Sequence, residues 1–281
     1  MLATHIYVMV FHINITPVIK RIDKGGRMRM SLKMIALDLD GTLLDRDGSL
    51  SDENAEWVRK AQASGMNVVL VSGRHRMRMI PVIEKLDLRL PLISANGCEI
   101  WDADGRLMNR SVLPWKDVET VNLFAFQHNV RYRAYCAEGV FDSENNHHLA
   151  QMDYSWLKVL LKSDDTRSLS DARDRLQATN RVELIVYGSP EAPRQIDVQP
   201  KGTGKASALA KLCDKLGIRR EEVAAFGDDR NDIDMLRWAG LGVAMGNAPD
   251  DVKAAADWLA PHHHDAGVAR TIARLLRQAS A

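Results

Sequence analysis

The sequence predicts an α/β fold, a doubly wound parallel sheet into which an α+β segment is inserted, and three observations predict it. Strand-like apolar runs alternate with helix-like stretches over residues 34–112, the same alternation returns over 197–281, and the intervening 113–196 follows a different pattern. With 281 residues, 46 % of them hydrophobic and 27 % charged, the chain has a globular composition and the length for one large or two moderate domains.

The first flank opens with Met34-Ile35-Ala36-Leu37, a short apolar strand that runs into Asp38-Leu39-Asp40-Gly41. A helix is expected from about Asp52 to Ser64, with Ser51 as its cap, Trp57, Val58 and Ala61 on one face, and Gly65 as its stop. Asn67 to Val71 is a continuous apolar run of the kind buried on both faces of a parallel sheet. A second helix is expected over roughly His75 to Leu86, before a strand at Leu92-Ile93. In the insert, Lys116 to His128 reads as helix, while Val130 to Cys136, Arg181 to Tyr187 and Gln195 to Val198 read as strands. The last flank gives a helix from about Lys205 to Leu216, a strand Val223 to Phe226, a helix near Asp232 to Trp238, a strand Leu241 to Ala244 and a terminal helix from about Ala266 to Arg277.

Residues 1–33 stand apart. Ile6 to Ile19 is apolar, but His12, Asn14 and Pro17 interrupt it, so it is too short for a spanning helix. Lys20, Arg21, Lys24 and Arg27 follow the apolar part instead of preceding it, contrary to a secretory signal. Met28 and Met30 lie just before the first strand and Met34 opens it, and an internal start is expected, with the leader outside the natural protein. No membrane partner is expected. The balance of 38 Lys and Arg against 37 Asp and Glu, a net charge of +1, gives no basic footprint for nucleic acid. Three cysteines, Cys98, Cys136 and Cys213, lack metal-ligand spacing and suit a reducing cytoplasm.

Three strands of the sheet end in polar residues: Leu37 runs into Asp38, Val71 into Ser72-Gly73-Arg74, and Phe226 into Gly227-Asp228-Asp229. Ligands of open α/β sheets sit beyond the carboxyl ends of strands, so these segments are expected to meet at one site. Asp38 and Asp40 lie two apart and so project to one side, the layout of a carboxylate nucleophile beside an acid/base partner, although an acidic turn has the same composition. Asp229 and Asp234 are accounted for by the dipole of the following helix, Asp228 less so. Converging Asp38, Asp40 and Asp228 would repel one another, and an all-oxygen set calls for a hard cation such as Mg²⁺. An anion's outer oxygens need a cation too. Lys205, at the start of a helix after Gly202-Thr203-Gly204, is the candidate, with Lys201 as its competitor.

Asp38-Leu39-Asp40-Gly41-Thr42, Ser72-Gly73-Arg74, the Lys205 segment and Gly227-Asp228-Asp229-Arg230-Asn231-Asp232 resemble, in order, the four motifs of the haloacid dehalogenase superfamily. Asn96-Gly97, Gly242 to Ala248 and Asp265 to Ala269 resemble its Cof-type phosphatase branch. The resemblance covers Met34 to the C-terminus. It implies a Rossmann-like core with a C2B-type cap inserted between the second and third motifs, and hydrolysis of a small phosphate monoester, a sugar phosphate or similar, through an aspartyl-phosphate. Asp38 would attack phosphorus. Asp40 would carry the proton. By position, Mg²⁺ would be held by Asp38, the backbone carbonyl of Asp40 and Asp228, with Asp232 orienting this set. Thr42, Ser72, Gly73, Lys205 and Asn231 would attend the phosphate.

The sequence departs from the branch at Cys98-Glu99, where a small residue is usual. His262-His263-His264 falls where the family has a polar loop and reads as solvated. Arg74, His75, Arg76 and Arg78 crowd an expected helix start, where cations oppose the dipole. One or two of them are expected to face a second anionic group of the substrate, or else acids of the insert. A phosphomutase or phosphotransferase would use the same aspartyl-phosphate, and a non-catalytic phosphometabolite-binding protein would have lost Asp38 or Asp40, which are both present. The sequence leaves the particular substrate and the oligomeric state open.

Overall fold

Apolar runs that must be covered on both faces dictate the architecture. β1 (Met34–Leu37) is fully buried, and β2 (Asn67–Val71) is buried after its first residue. The computed structural model describes residues 32–143, 153–189 and 191–279; Met28, Met30 and most of the leader lie outside these. Between the two strands, α1 (Asp52–Ala63) starts where Ser51 Oγ accepts the Asn54 N–H at 3.2 Å, and Asp52 and Glu53 in its first turn favour the helix dipole.

The single helix expected over His75 to Leu86 is divided. Arg76–Arg78 forms one 3₁₀ turn, and α2 (Ile80–Leu86) begins anew with Pro81 in its first turn. Proline is accommodated there because the first N–H groups of a helix have no intrahelical partner, whereas further inside it would remove a bond. The cations of this segment therefore precede the helix instead of lying within its first turn.

β3 (Leu92–Ser94) continues the parallel sheet, and β4 (Glu99–Trp101) and β5 (Leu107–Arg110) extend it antiparallel. The chain then builds a second sheet, beginning with α3 (Trp115–Gln127), β6 (Arg131–Cys136) and β7 (Gly139–Asp142). β8 (Trp156–Lys162), α4 (Thr166–Ala178), β9 (Val182–Ser189) and β10 (Ala192–Pro200) complete it. Its order is β7-β6-β8-β10-β9, antiparallel throughout. Because β10 reaches Pro200, Asp197 and Gln199, which the sequence reading assigns to the flank, pair within this sheet.

Returning to the first sheet, the chain forms α5 (Lys205–Leu216), β11 (Val223–Gly227), α6 (Ile233–Trp238) and β12 (Leu241–Ala244). α7 (Asp250–Lys253), β13 (Trp258–Leu259) and α8 (Gly267–Ala279) follow. The strand order is β13-β12-β11-β1-β2-β3-β4-β5. One face packs Leu37, Leu70 and Phe226 with Val58, Leu86 and Ile272; the other packs Ala36, Val71 and Ala225 with Leu209, Leu212 and Met235.

Two features of this topology position the site. Leu37 stands in register with Phe226 on one side and Leu70 on the other, so the polar residues after β1, β11 and β2 emerge together. The second sheet obeys a period of two: Val159, Leu161 and Ile196 face α3 and α4, while Lys158, Leu160, Lys162 and Asp197 line the cavity between the sheets. Among the described residues, no helix is long and apolar enough to cross a membrane.

Candidate active site

Asp38 leaves the sheet last. Its N–H still bonds the Phe226 carbonyl at 3.1 Å, and the side chain is 5 % exposed at the floor of the cavity. Three residues on, Gly41 turns the chain at φ +78°; a Cβ there would lie 2.3 Å from Asp228 Oδ2, so both conformation and space require glycine. Asn247 Nδ2 spans this turn, donating to the Gly41 carbonyl at 2.9 Å and to Asp228 Oδ2 at 3.0 Å. Thr42 is buried, and its hydroxyl donates to Asp228 Oδ1 at 3.1 Å rather than opening to the cavity.

The end of β11 is as tightly built. A Cβ on Gly227 would meet that of Asp232 at 2.4 Å, which lets Asp232 turn back beneath the strand. Asp232 Oδ2 accepts the N–H groups of Asp228 and Asp229, both at 3.0 Å, and Oδ1 accepts Lys205 Nζ at 2.6 Å. Lys205, the first residue of α5 and 2 % exposed, also reaches Asp38 Oδ1 at 2.6 Å. Lys201 instead bonds Asn180 at the surface, away from the site.

From β2, Ser72 and Gly73 line the cavity, the Ser72 Oγ accepting the Arg74 N–H at 3.2 Å. The Arg74 guanidinium grips Asp40, Nε to Oδ2 at 2.9 Å and a terminal nitrogen to Oδ1 at 2.5 Å. Arg76 turns away to stack on Trp101, 4.2 Å from the ring centre, whereas Arg78 lines the cavity. Asn231 Nδ2 donates to Asn96 Oδ1 at 3.1 Å, and Asn96 Nδ2 donates to Asp197 Oδ2 at 3.1 Å. Lys158 Nζ, 2.8 Å from the same Asp197 oxygen, completes a buried bridge between the sheets.

The sequence reading missed Lys158 and Asp197 as site residues. Each is a charge in a strand that is otherwise buried, Trp156-Leu157-Lys158-Val159 and Ile196-Asp197-Val198, and that is the signal that could have found them. Of the His262-His263-His264 run, His263 is 3 % exposed, so the run is not simply a solvated loop.

Charge is concentrated here beyond what the protein alone compensates. Burial, then Asp232 and Asp228, push the Asp38 carboxyl well above its ordinary range, and Lys205 offsets only part of this. Burial and then Asp232 raise Asp228 to about 7, against the hydrogen bond from Thr42. For Lys205 burial favours the neutral amine, but Asp232 and Asp38 outweigh it and hold the lysine charged. Carboxylate oxygens of Asp38, Asp228 and Asp232 lie within 4.8 Å of one another. An all-oxygen set with strained anionic charge fits a hard divalent cation. Asp232 already accepts three hydrogen bonds, against two at Asp228 and one at Asp38, so Asp38 and Asp228 have the freer lone pairs.

The profile of a family described as haloacid dehalogenase-like hydrolase matches residues 35–272. Over 246 residues the chain is 37 % identical to the 5-amino-6-(5-phospho-D-ribitylamino)uracil phosphatase YcsE of Bacillus subtilis (strain 168), covering 88 % of this chain and 96 % of that protein. It is 28 % identical over 254 residues to the pyridoxal phosphate phosphatase YbhA of Escherichia coli (strain K12), covering 81 % and 93 %. Among solved structures, a haloacid dehalogenase-like hydrolase from B. subtilis matches with a TM-score of 0.78 at 27 % identity, over 87 % of this chain and 100 % of that one.

Proposed function

This chain belongs to the haloacid dehalogenase-like hydrolase family, and we propose that it is a magnesium-dependent phosphatase that hydrolyses a small phosphorylated metabolite through an aspartyl-phosphate. The observation that carries this reading is Lys205 Nζ held 2.6 Å from both Asp38 and Asp232 at the buried floor of a cavity of about 1520 Å³. It supports Asp38 as a fixed nucleophile whose buried charge Lys205 offsets in part, leaving the remainder for a bound cation to offset.

Asp38 and Asp228 would hold Mg²⁺ together with the Asp40 carbonyl, and Asp232 would orient them. Bound there, the ion would offset the charge of carboxylates and phosphate together. The Asp38 carboxylate attacks phosphorus, and the ester oxygen leaves with a proton from Asp40. Asp40 then takes a proton from water as that water displaces Asp38 from phosphorus, releasing inorganic phosphate. Lys205, Ser72, Gly73 and Asn231 stand where the phosphoryl oxygens would gather negative charge. The second sheet and its helices, residues 113–200, act as a cap that excludes water and selects the leaving group. Tyr135, Lys162 and Arg194 on its cavity wall, opposite Arg78, suit an anionic body larger than phosphate alone.

Phosphate release measured across a panel of phosphorylated metabolites, with Mg²⁺ and with EDTA, tests the reading. Release from single substrates that needs Mg²⁺ and is lost in Asp38→Asn supports it. Undiminished release by Asp38→Asn would overturn the assignment.

A further inference from the structure

Three imidazoles outside the cavity remain unused by this chemistry. His262, His263 and His264 each offer one ring nitrogen within 4.8 Å of those of the other two. Asp45 Oδ1 receives His263 Nδ1 at 2.6 Å and His264 Nδ1 at 2.7 Å. A carboxylate only accepts, so both Nδ1 atoms carry hydrogen and the lone pair of each neutral ring sits on Nε2. The histidine of a carboxylate–histidine–metal triad is arranged in this way, its far nitrogen made more basic and its ring fixed. His263 supplies the independent sign of a ligand. Its side chain is 1 % exposed, and among the described residues no group bonds its Nε2. Buried polar atoms are nearly always partnered.

We infer that His262, His263 and His264, braced by Asp45, form a binding site for a divalent transition-metal ion of the zinc class. Three imidazoles suit Zn²⁺, Ni²⁺ or Cu²⁺ and not the oxygen-seeking Mg²⁺. His264, 57 % exposed, gives the ion a way in, while His263 closes the inner side. The competing soft ligands are poor ones: burial pushes the thiols of Cys98, Cys136 and Cys213 up to about 12, so they are not thiolates at neutral pH. The site also has a structural reach. His263 N–H bonds Asn247 Oδ1 at 3.2 Å, and Asp45 precedes Asp47, Gly48 and Ser49 on the cavity wall, so an ion here would fasten two loops of the first sheet.

The test uses the full chain, stripped with EDTA, given one equivalent of ZnCl₂ in excess Mg²⁺, desalted and assayed for zinc. The wild type and Asp228→Asn are expected to keep about one zinc per chain. His264→Gln, an exposed substitution that leaves the fold intact, is expected to lose it, and Asp45→Asn to bind about 10–100-fold more weakly. The wild type, but not His264→Gln, is expected to melt at higher temperature with zinc. The inference is overturned if the wild type keeps no zinc. It is equally overturned if His264→Gln keeps as much as the wild type, or if Asp228→Asn is the variant that loses it.

Discussion

Replacing Asp228 by asparagine is expected to stabilise the protein at pH 8 in EDTA while ending turnover. Burial and Asp232 raise the folded-state pKa of Asp228 to about 7 from an ordinary 3.8. A carboxyl raised in this way binds its proton more tightly when folded, so its contribution to stability is complete below about pH 4 and is lost as pH climbs through about 7. The interval, at about 1.4 kcal/mol per pH unit, sets a ceiling of about 4 kcal/mol on what ionised Asp228 costs at pH 8. Asparagine removes that cost but cannot accept from both Thr42 and Asn247, the two donors that now meet its oxygens. The amide facing one of them returns about 1–2 kcal/mol. A net gain of about 2 kcal/mol is therefore expected at pH 8, reversing to a loss of about 1 kcal/mol at pH 4. Urea unfolding midpoints at both pH values measure it. Mg²⁺ should then raise the midpoint of the wild type and leave that of Asp228→Asn unmoved, since only binding to the folded state stabilises it. A variant less stable than the wild type at pH 8 in EDTA, or a difference that ignores pH, would refute the reasoning.

Lys205→Met leaves the buried Asp38 and Asp232 without their shared cation and is expected to cost about 3–5 kcal/mol in urea unfolding, together with activity. Asp40→Asn should lower kcat by about 10²–10⁴ with little change in unfolding, as steady-state kinetics and a melting curve would report. The Asp40 side chain is 60 % exposed, so Arg74→Ala should change stability by less than about 1 kcal/mol yet alter kcat, because Arg74 holds Asp40, which we propose as the proton carrier. Asp197→Leu alone strands Lys158 and should be destabilised by about 3 kcal/mol, whereas the Lys158→Met, Asp197→Leu double variant should recover much of it.

The centre of the first sheet was legible because β1, β2 and β11 are buried on both faces and end abruptly in polar residues. Asp38, Ser72 and Asp228 could be brought to one place from pattern alone, since parallel strands in register must finish together. Pattern failed where a local rule was outvoted. Pro81 split an otherwise plausible helix, and Lys158 and Asp197 broke the apolar character of strands that the opposing cavity made half polar.

By itself, the sequence determined the α/β alternation, the insert and the carboxylates at the strand ends, because periodicity and chain direction are local properties. Only the tertiary structure decided which side chain holds which. Asn96 meets Asp197 across 101 positions, Thr42 turns its hydroxyl to Asp228 across 186, and Asp45 gathers His263 and His264 from across the sheet. Such pairings follow from rotamers fixed by packing between distant segments, and no local pattern encodes them.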